Sequence, residues 1–214
     1  MINELTKRIL TSIIMICISL FCIIVGSTIF NIFIILVFFI SLFEWINLCK
    51  KKKHLILGIC FLSISIISAY NLRNDNVLFF LFAILISAFS DIGGFVIGKT
   101  FKGPKLTKIS PNKTYSGTVG SFIFSILSGL IFIKYFDRLF MINLSINISE
   151  FIVIIFLMSA INQVGDLIIS YFKRLRNIKN TGKFLPGHGG LLDRIDGLIF
   201  SIPFSYIIFN YLSY

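Results

Sequence analysis

Long apolar stretches separated by short polar segments dominate the chain. A membrane span needs about 20 mostly apolar residues, and seven stretches approach or reach that length. They cover residues 9–25, 28–46, 55–70, 77–97, 118–135, 151–170 and 198–212. The stretches show no alternation of apolar and polar positions, and backbone polar groups in a bilayer must be bonded internally, so the pattern predicts helices. We expect an all-α integral membrane protein with about seven transmembrane helices.

The composition agrees with this class of protein. Of the 214 residues, 57% are hydrophobic and only 14% are charged, whereas an average soluble domain is about 25% charged. A soluble chain of this size could not bury so much apolar surface. The four cysteines contain no CxxC pair, so we interpret them as packing residues rather than zinc ligands or disulfides.

The basic residues are distributed unevenly among the polar segments. All but three of the 20 lysines and arginines would lie on one side of the membrane, the exceptions being Arg73, Lys134 and Arg138. The positive-inside rule makes the basic side cytoplasmic, with the N-terminus inside. The net charge of +11 is therefore explained by membrane topology and by attraction to anionic lipid headgroups, rather than by binding to nucleic acid. For the lysines at 50–53, a purely topological role and a functional one both stay open.

Apart from Glu44, four of the nine acidic residues lie in or just ahead of an apolar stretch and are candidates for chemistry. Asp91 is inside the fourth stretch, Asp166 is near the end of the sixth, and Asp193 and Asp196 precede the seventh. An ionisable group within the membrane costs at least about 2.5–3.5 kcal/mol, which makes it a candidate functional residue. Asp193 and Asp196 would share one face if a helix begins there. For Asp91, the alternative is a buried polar group bonded to a neighbouring helix.

Three of these carboxylates would lie at one membrane level, on the basic side. Asp166, Asp193 and Asp196 are each close in sequence to lysines or arginines. This grouping is typical of a divalent cation held against phosphates, since Mg²⁺ binds through one or two carboxylates, phosphate oxygens and water. Glu44, next to Trp45 at the end of the second stretch, is interpreted instead as an interfacial anchor.

Two cytoplasmic segments, 98–117 and 171–197, carry the remaining candidate chemistry. The first is basic, contains no acid, and presents Ser110, Lys113 and Thr114 ahead of the fifth stretch. Lysine and hydroxyl side chains next to the N–H groups of a helix start make a phosphate site, although the spacing is not that of a Walker A loop. The second segment surrounds a histidine with glycines at 187, 189 and 190, which permit close approach to a ligand.

The second segment resembles the signature of the phosphatidate cytidylyltransferases, or CDP-diacylglycerol synthases. Its matching residues are Ser170, Lys173, Arg174, Lys179, Gly182, Leu185, Pro186, His188, Gly189, Gly190, Leu191, Asp193, Arg194, Ile195 and Asp196. The first segment is similar to the family's Ser-Pro-x-Lys-Thr-aromatic element at positions 110–115, and Asp91 resembles the acid ahead of it. The resemblance covers roughly residues 77–200. Asn180 and Ser116 stand where the family has acidic residues.

The resemblance implies transfer of a cytidylyl group from CTP to phosphatidic acid, giving CDP-diacylglycerol and pyrophosphate in phospholipid biosynthesis. It implies Mg²⁺ at Asp166, Asp193 and Asp196, together with a second cation that is monovalent or divalent. The other implied catalytic residues are Lys173, Arg174 and His188. The implied substrate-binding residues are Asp91, Ser110, Lys113, Thr114, Ser170, Gly189, Gly190 and Arg194.

The same resemblance implies an active site at the cytoplasmic face of a bacterial inner membrane, and a homodimer. We expect N-terminal transmembrane helices over 1–76 and a catalytic transmembrane domain over 77–214.

One alternative function is that of another CTP-using lipid enzyme, such as a polyprenol kinase. Another is an ion-coupled transporter, which predicts acids near mid-bilayer and an internal repeat. No repeat is visible, and three of the four membrane acids lie at the cytoplasmic end.

Overall fold

A computed structural model describes residues 4–140, 147–187 and 189–212, and over these residues the chain is helical, with isolated bridges and no extended strand. The helices are α1 (Glu4–Val25), α2 (Ser27–Leu48), α3 (Lys52–Asp75), α4 (Val77–Phe101), α5 (Tyr115–Phe140), α6 (Ile148–Leu175), α7 (Leu192–Ile195) and α8 (Leu198–Leu212). The predicted all-α class is confirmed.

Five of the described helices are long and apolar enough to cross a membrane: α2, α3, α4, α5 as far as Phe136, and α6. The chain is therefore a multi-pass membrane protein. The apolar part of α1 and the whole of α8 are shorter. The 15 residues of α8 extend about 22 Å at 1.5 Å per residue, less than the roughly 30 Å of a hydrocarbon core. The predicted count of about seven spans and the cytoplasmic N-terminus stay predictions.

The first polar loop is shorter than the predicted segment 98–117. Helix α4 continues to Phe101 because polar residues can extend the helical hydrogen bonds beyond the apolar core. It ends where Lys102 and Gly103 take positive φ angles of 53° and 112°, which a right-handed helix cannot accommodate. Helix α5 then begins at Tyr115.

The second polar loop is likewise shorter than the predicted segment 171–197, because α6 continues to Leu175. Asn177 follows in the left-handed region at φ 55°. The N–H of Ile178 donates to the carbonyl of Lys173 at 3.1 Å, which closes the helix end in the manner of a Schellman motif. The loop therefore leaves α6 in a defined direction.

The described chain divides into two compact units. The first unit comprises Met1–Tyr70 and Phe172–Ile195, and the second comprises Asn71–Tyr171 and Asp196–Tyr214. In the first unit α2 contacts α1 and α7, and in the second unit α4 contacts α5 and α8. The functional boundary predicted between residues 76 and 77 stays a prediction.

Glycines bring α4 and α5 into backbone contact in the second unit. A Cβ atom on Gly120 would lie 2.6 Å from the carbonyl oxygen of Gly93, and one on Gly117 would lie 2.8 Å from that of Gly94. Small residues at helix crossings are a main source of packing in membranes, where apolar burial between helices gains little over lipid. This crossing fixes the helices on either side of the first polar loop.

We expect Gly120→Val to destabilise the protein, because the added side chain has no space at this crossing. Overpacking of this kind costs about 1–3 kcal/mol. The measurement is the thermal unfolding temperature of purified protein in detergent. Val119→Ala is the matched control, since Val119 precedes Gly120 on the same helix but is 56% exposed. Equal unfolding temperatures for Gly120→Val and wild type would contradict the crossing.

Candidate active site

The sequence-predicted site residues fall in both units. Those of the first unit are Lys173, Arg174, Gly189, Gly190, Asp193 and Arg194. Those of the second unit are Asp91, Ser110, Lys113, Thr114, Asp166, Ser170 and Asp196. His188 lies outside the described residues.

The first polar loop is an ordered hairpin in the second unit. Lys105 and Thr114 form an antiparallel bridge, and the N–H of Leu106 donates to the carbonyl of Lys113 at 2.8 Å. The N–H of Lys113 in turn donates to the carbonyl of Ser110 at 3.1 Å. These bonds hold the Ser-Pro-x-Lys-Thr element in one conformation at the start of α5.

The hydroxyl of Thr114 has a structural task. Its Oγ1 accepts the N–H of Gly117 at 3.1 Å, so Thr114 is the N-cap of α5 and satisfies one of the unpaired donors at the helix start. The sequence pattern predicted only a phosphate-binding role for this hydroxyl. Threonine is also a preferred N-cap residue, and its position just ahead of an apolar run is typical of a helix start.

Lys113 and Asp166 form an ion pair in the second unit. The Nζ of Lys113 lies 2.6 Å from Asp166 Oδ2 and donates to the carbonyl of Gln163 at 3.3 Å. Ser170 donates its hydroxyl to Asp166 Oδ1 at 3.2 Å. Both charged side chains are about one-quarter exposed, so the pair remains accessible. The structure thus brings together three of the predicted residues, Lys113, Asp166 and Ser170.

Asp91 has a partner on a neighbouring helix. Its Oδ1 accepts from Asn162 Nδ2 on α6 at 3.0 Å. The Oδ1 of Asn162 is buried and has no hydrogen-bond partner among the described residues. The bond from α6 agrees with the alternative of a polar group bonded to a neighbouring helix, but Asp91 is exposed rather than buried. Its role in substrate binding stays a prediction.

Asp193 is the most fully bonded acid of the first unit. Its Oδ1 accepts from Lys173 Nζ at 2.8 Å, and the two side chains are only 7% and 11% exposed respectively. Its Oδ2 accepts the N–H of Thr181 at 2.8 Å and that of Gly190 at 3.1 Å. The Thr181 hydroxyl lies 3.1 Å from the same oxygen. Asp193 therefore both pairs with Lys173 and organises the loop around the His-Gly-Gly element.

Glu44 also belongs to this network, and its interpretation as an interfacial anchor was wrong. The residue is only 3% exposed. Its carboxylate accepts from the Thr181 hydroxyl at 2.8 Å, from the N–H of Leu191 at 2.9 Å and from that of Leu192 at 2.8 Å. An acid on α2 thus binds a loop that lies more than 130 residues further along the chain.

Arg176 ties the second polar loop to the end of α2. Its Nη2 donates to the carbonyl of Asn47 at 2.6 Å, and its Nε donates to that of Leu48 at 3.2 Å. A guanidinium at these positions satisfies the unpaired carbonyls of a helix C-terminus. Burial raises the pKa of the neighbouring Cys49 thiol, while the charge of Arg176 acts in the opposite direction.

The expectation that one helix carries both Asp193 and Asp196 was wrong. Helix α7 ends at Ile195 and α8 begins at Leu198, so Asp196 lies in the turn between them. Its Oδ1 accepts the N–H of Gly197 at 3.0 Å, a local bond of the kind by which Asp favours turns over helix continuation.

The carboxylates offer the donor chemistry that Mg²⁺ requires, because Mg²⁺ prefers hard oxygen ligands. Asp166 and Asp193 each accommodate a lysine ammonium against one carboxylate oxygen, so each position already favours a cation. Within the described ranges, no group of three or more Asp, Glu, His or Cys side chains is arranged to hold a metal ion. The assignment of Mg²⁺ stays a prediction.

Asn180, where the resembled family has Asp, is exposed and lies beside Gly189. We expect Asn180→Asp to change kcat only severalfold, because the position orders an exposed loop, and an exposed ion pair is worth only about 0–1 kcal/mol. Steady-state kinetics at several Mg²⁺ concentrations would check this. An inactive wild type rescued by this substitution would place residue 180 at the reacting groups instead.

Comparison with known proteins shows the class to which this membrane protein belongs, the nucleotidyltransferases. The model of the Cytidylyltransferase family matches residues 6–72 and 55–212, so the chain belongs to this family. The match begins well before residue 77, where the sequence resemblance began. The first helices, including the one that carries Glu44, are therefore part of the family pattern.

Individual relatives carry one name. The Phosphatidate cytidylyltransferase of Rickettsia typhi is 36% identical over 96% of this chain and 92% of its own length, and that of Rickettsia prowazekii is 37% identical with the same coverage. The protein of that name from Staphylococcus haemolyticus is 33% identical over 69% of this chain. The match spans only 55% of the staphylococcal protein's length.

Proposed function

We propose that this chain transfers the cytidylyl group of CTP to phosphatidic acid, giving CDP-diacylglycerol and pyrophosphate. The observation that carries the proposal is the buried Lys173–Asp193 pair inside the Asp-Arg-Ile-Asp and His-Gly-Gly signature. Membership of the Cytidylyltransferase family and the name shared by the rickettsial relatives support the same reaction.

The chemistry asks mainly for positioning and neutralisation of charge. A phosphate oxygen of phosphatidic acid attacks the α-phosphorus of CTP, the bond from that phosphorus to the β-phosphate bridging oxygen breaks, and pyrophosphate leaves with the electron pair. The nucleophile is already an anion, so no strong general base is needed, whereas two polyanions must be held in line.

The basic residues of the two loops suit these tasks. We assign the triphosphate of CTP to Ser110, Lys113 and Thr114. The lipid phosphate or the leaving pyrophosphate is assigned to Lys173, Arg174 and Arg194. Ser170, Gly189 and Gly190 are retained as substrate-binding residues. Asp91 is retained as a substrate-binding residue, and His188 either donates to a phosphate oxygen or shapes its loop.

Mg²⁺ is the proposed cofactor, with Asp166, Asp193 and Asp196 as its candidate ligands and a second cation beside it. When bound, it would neutralise charge that develops on the phosphate oxygens. Chelation with EDTA is expected to abolish the CTP-dependent activity, and added Mg²⁺ is expected to restore it.

We place the reaction at the cytoplasmic face of a bacterial inner membrane, with the catalytic residues in 77–214. Glu44, the acid of α2 that binds the second polar loop, lies outside that range. This location suits the substrates, because CTP arrives from water while the acyl chains of phosphatidic acid stay in the bilayer. The bacterial origin of the relatives supports the membrane assignment. A homodimer is part of the same proposal.

The proposal is tested by offering purified protein in mixed micelles either phosphatidic acid or a polyprenol, each with CTP. We expect pyrophosphate and CDP-diacylglycerol in equal amounts with phosphatidic acid, and no lipid product with the polyprenol. The opposite preference would replace the proposal by a polyprenol kinase. Activity with neither lipid, from protein that remains folded in detergent, would refute both.

A further inference from the structure

Glu44 is a buried carboxylate that accepts hydrogen bonds from one loop. No described lysine or arginine forms an ion pair with Glu44, whereas Asp166 and Asp193 are paired with Lys113 and Lys173. A buried charge is costly unless hydrogen-bonded, and Glu44 is satisfied by Thr181, Leu191 and Leu192 alone. Apolar packing would fill the same volume without this cost, which indicates that the bonds themselves are needed.

We infer that Glu44 is a positioning residue, which fixes the segment 181–192 and through it the Lys173–Asp193 pair. It does so from both ends of the loop, because Thr181 precedes the His-Gly-Gly element while Leu191 and Leu192 follow it. This inference rests on the proposed function, since it gives Glu44 a task in aligning that reaction's residues.

Thr181 is the link between the two carboxylates. Its hydroxyl lies 2.8 Å from Glu44 Oε2 and 3.1 Å from Asp193 Oδ2. A hydroxyl has a single proton and can donate it to only one carboxylate at a time. Because the backbone N–H of Thr181 already donates to Asp193 at 2.8 Å, donating the hydroxyl to Glu44 lets one residue satisfy both acids.

Two glycines of the signature give an independent indication of the same contact. A Cβ atom on Gly182 would lie 2.6 Å from Glu44 Oε1, and one on Gly190 would lie 2.5 Å from Glu44 Oε2. Neither separation is possible for real atoms without displacement. A Cβ atom on either glycine would therefore displace the Glu44 carboxylate, which shows that the loop closes directly around it, whatever else Gly190 does for a ligand.

The test compares Glu44→Gln with the wild type. Glutamine keeps the size but turns an NH₂ group towards N–H donors, so the loop loses at least one anchor. We expect kcat to fall about 10- to 100-fold, as for other residues that orient a site's ligands, while the KM for CTP changes less than about threefold because no substrate contact is removed. Ser41→Ala is the matched control and should leave kcat unchanged, since Ser41 is buried one turn earlier on α2 and its hydroxyl has no partner in the described residues.

A second readout does not depend on activity. Hydrogen–deuterium exchange of peptides covering 181–192 should be faster in Glu44→Gln than in the wild type, with exchange in α4 and α5 unchanged. If Glu44→Gln does not fold, Thr181→Val carries the test, because it removes only the linking hydroxyl. The double variant should lose less activity than the product of the two single losses, since both act on one network.

The outcomes separate this inference from the proposed function. A wild type inactive towards CTP and phosphatidic acid refutes the proposed function, and the exchange experiment then decides the positioning role alone. Normal kcat in folded Glu44→Gln overturns the inference, as does unchanged exchange over 181–192. A rise in the KM for CTP with unchanged kcat would also overturn it, because a substrate contact would then explain the loss.

Discussion

Asp193→Asn is expected to abolish CTP-dependent turnover while the protein still inserts into the membrane. The substitution removes the negative charge that pairs with Lys173, and its NH₂ group must face either the Lys173 ammonium or the N–H donors of Thr181 and Gly190. It also removes a candidate Mg²⁺ ligand. Breaking one partner of a buried ion pair costs about 3–5 kcal/mol, so a lower unfolding temperature should accompany the lost activity.

The measurement is turnover of purified variant, normalised to folded protein, with the amount of membrane-inserted protein recorded separately. Asp75→Asn is the control, because Asp75 is an exposed acid at the end of α3 and should leave both values unchanged. Near-normal turnover in Asp193→Asn would remove Asp193 from the reaction. Asp166→Asn is expected to behave like Asp193→Asn.

Lys113→Ala should raise the KM for CTP more than the KM for phosphatidic acid. Lys113 stands in the ordered hairpin ahead of α5, and its ammonium is accessible beside Asp166. A hydrogen bond to a charged group contributes about 1.5–3 kcal/mol, and each 1.4 kcal/mol corresponds to about tenfold in affinity, so the KM for CTP should rise roughly tenfold or more.

Two further variants make this result specific. Lys173→Ala should not raise the KM for CTP more than the KM for phosphatidic acid, because Lys173 lies in the last turn of α6 and pairs with Asp193. Lys99→Ala is the control for a general loss of positive charge, since Lys99 is exposed at the end of α4. Equal effects of Lys113→Ala on both substrates would contradict separate phosphate positions.

The helices could be predicted from the sequence because the apolar stretches are long and uninterrupted. The second stretch was expected over 28–46 and forms a helix over Ser27–Leu48. Helix ends were less certain, since a helix continues through polar residues until a local signal stops it. At the ends of α4 and α6 that signal is a positive φ angle at Lys102 and Asn177. Asn177 itself and Gly103-Pro104 after Lys102 are common helix stops, but such residues do not fix the last helical position to better than about one or two residues.

The candidate site was only partly predictable. Lys173 and Asp193 stand in one recognisable motif, but their pairing depends on how the loop folds back. The role of Glu44 had no local signal, because its partners are 137 to 148 positions away and a single acid beside a tryptophan at a helix end is typical of a membrane interface. Gly182 and Gly190 together indicate that a side chain packs closely against the loop, but they do not indicate which residue it belongs to.

The central claim is that the chain transfers a cytidylyl group, and the position of a label in CTP tests it most directly. Purified protein would be given phosphatidic acid and CTP labelled either at the α-phosphorus or at the γ-phosphorus. We expect the α-label in the lipid product and the γ-label in pyrophosphate, because the α–β bond is the one that breaks. Recovery of the γ-label in lipid would show phosphoryl transfer and contradict the claim.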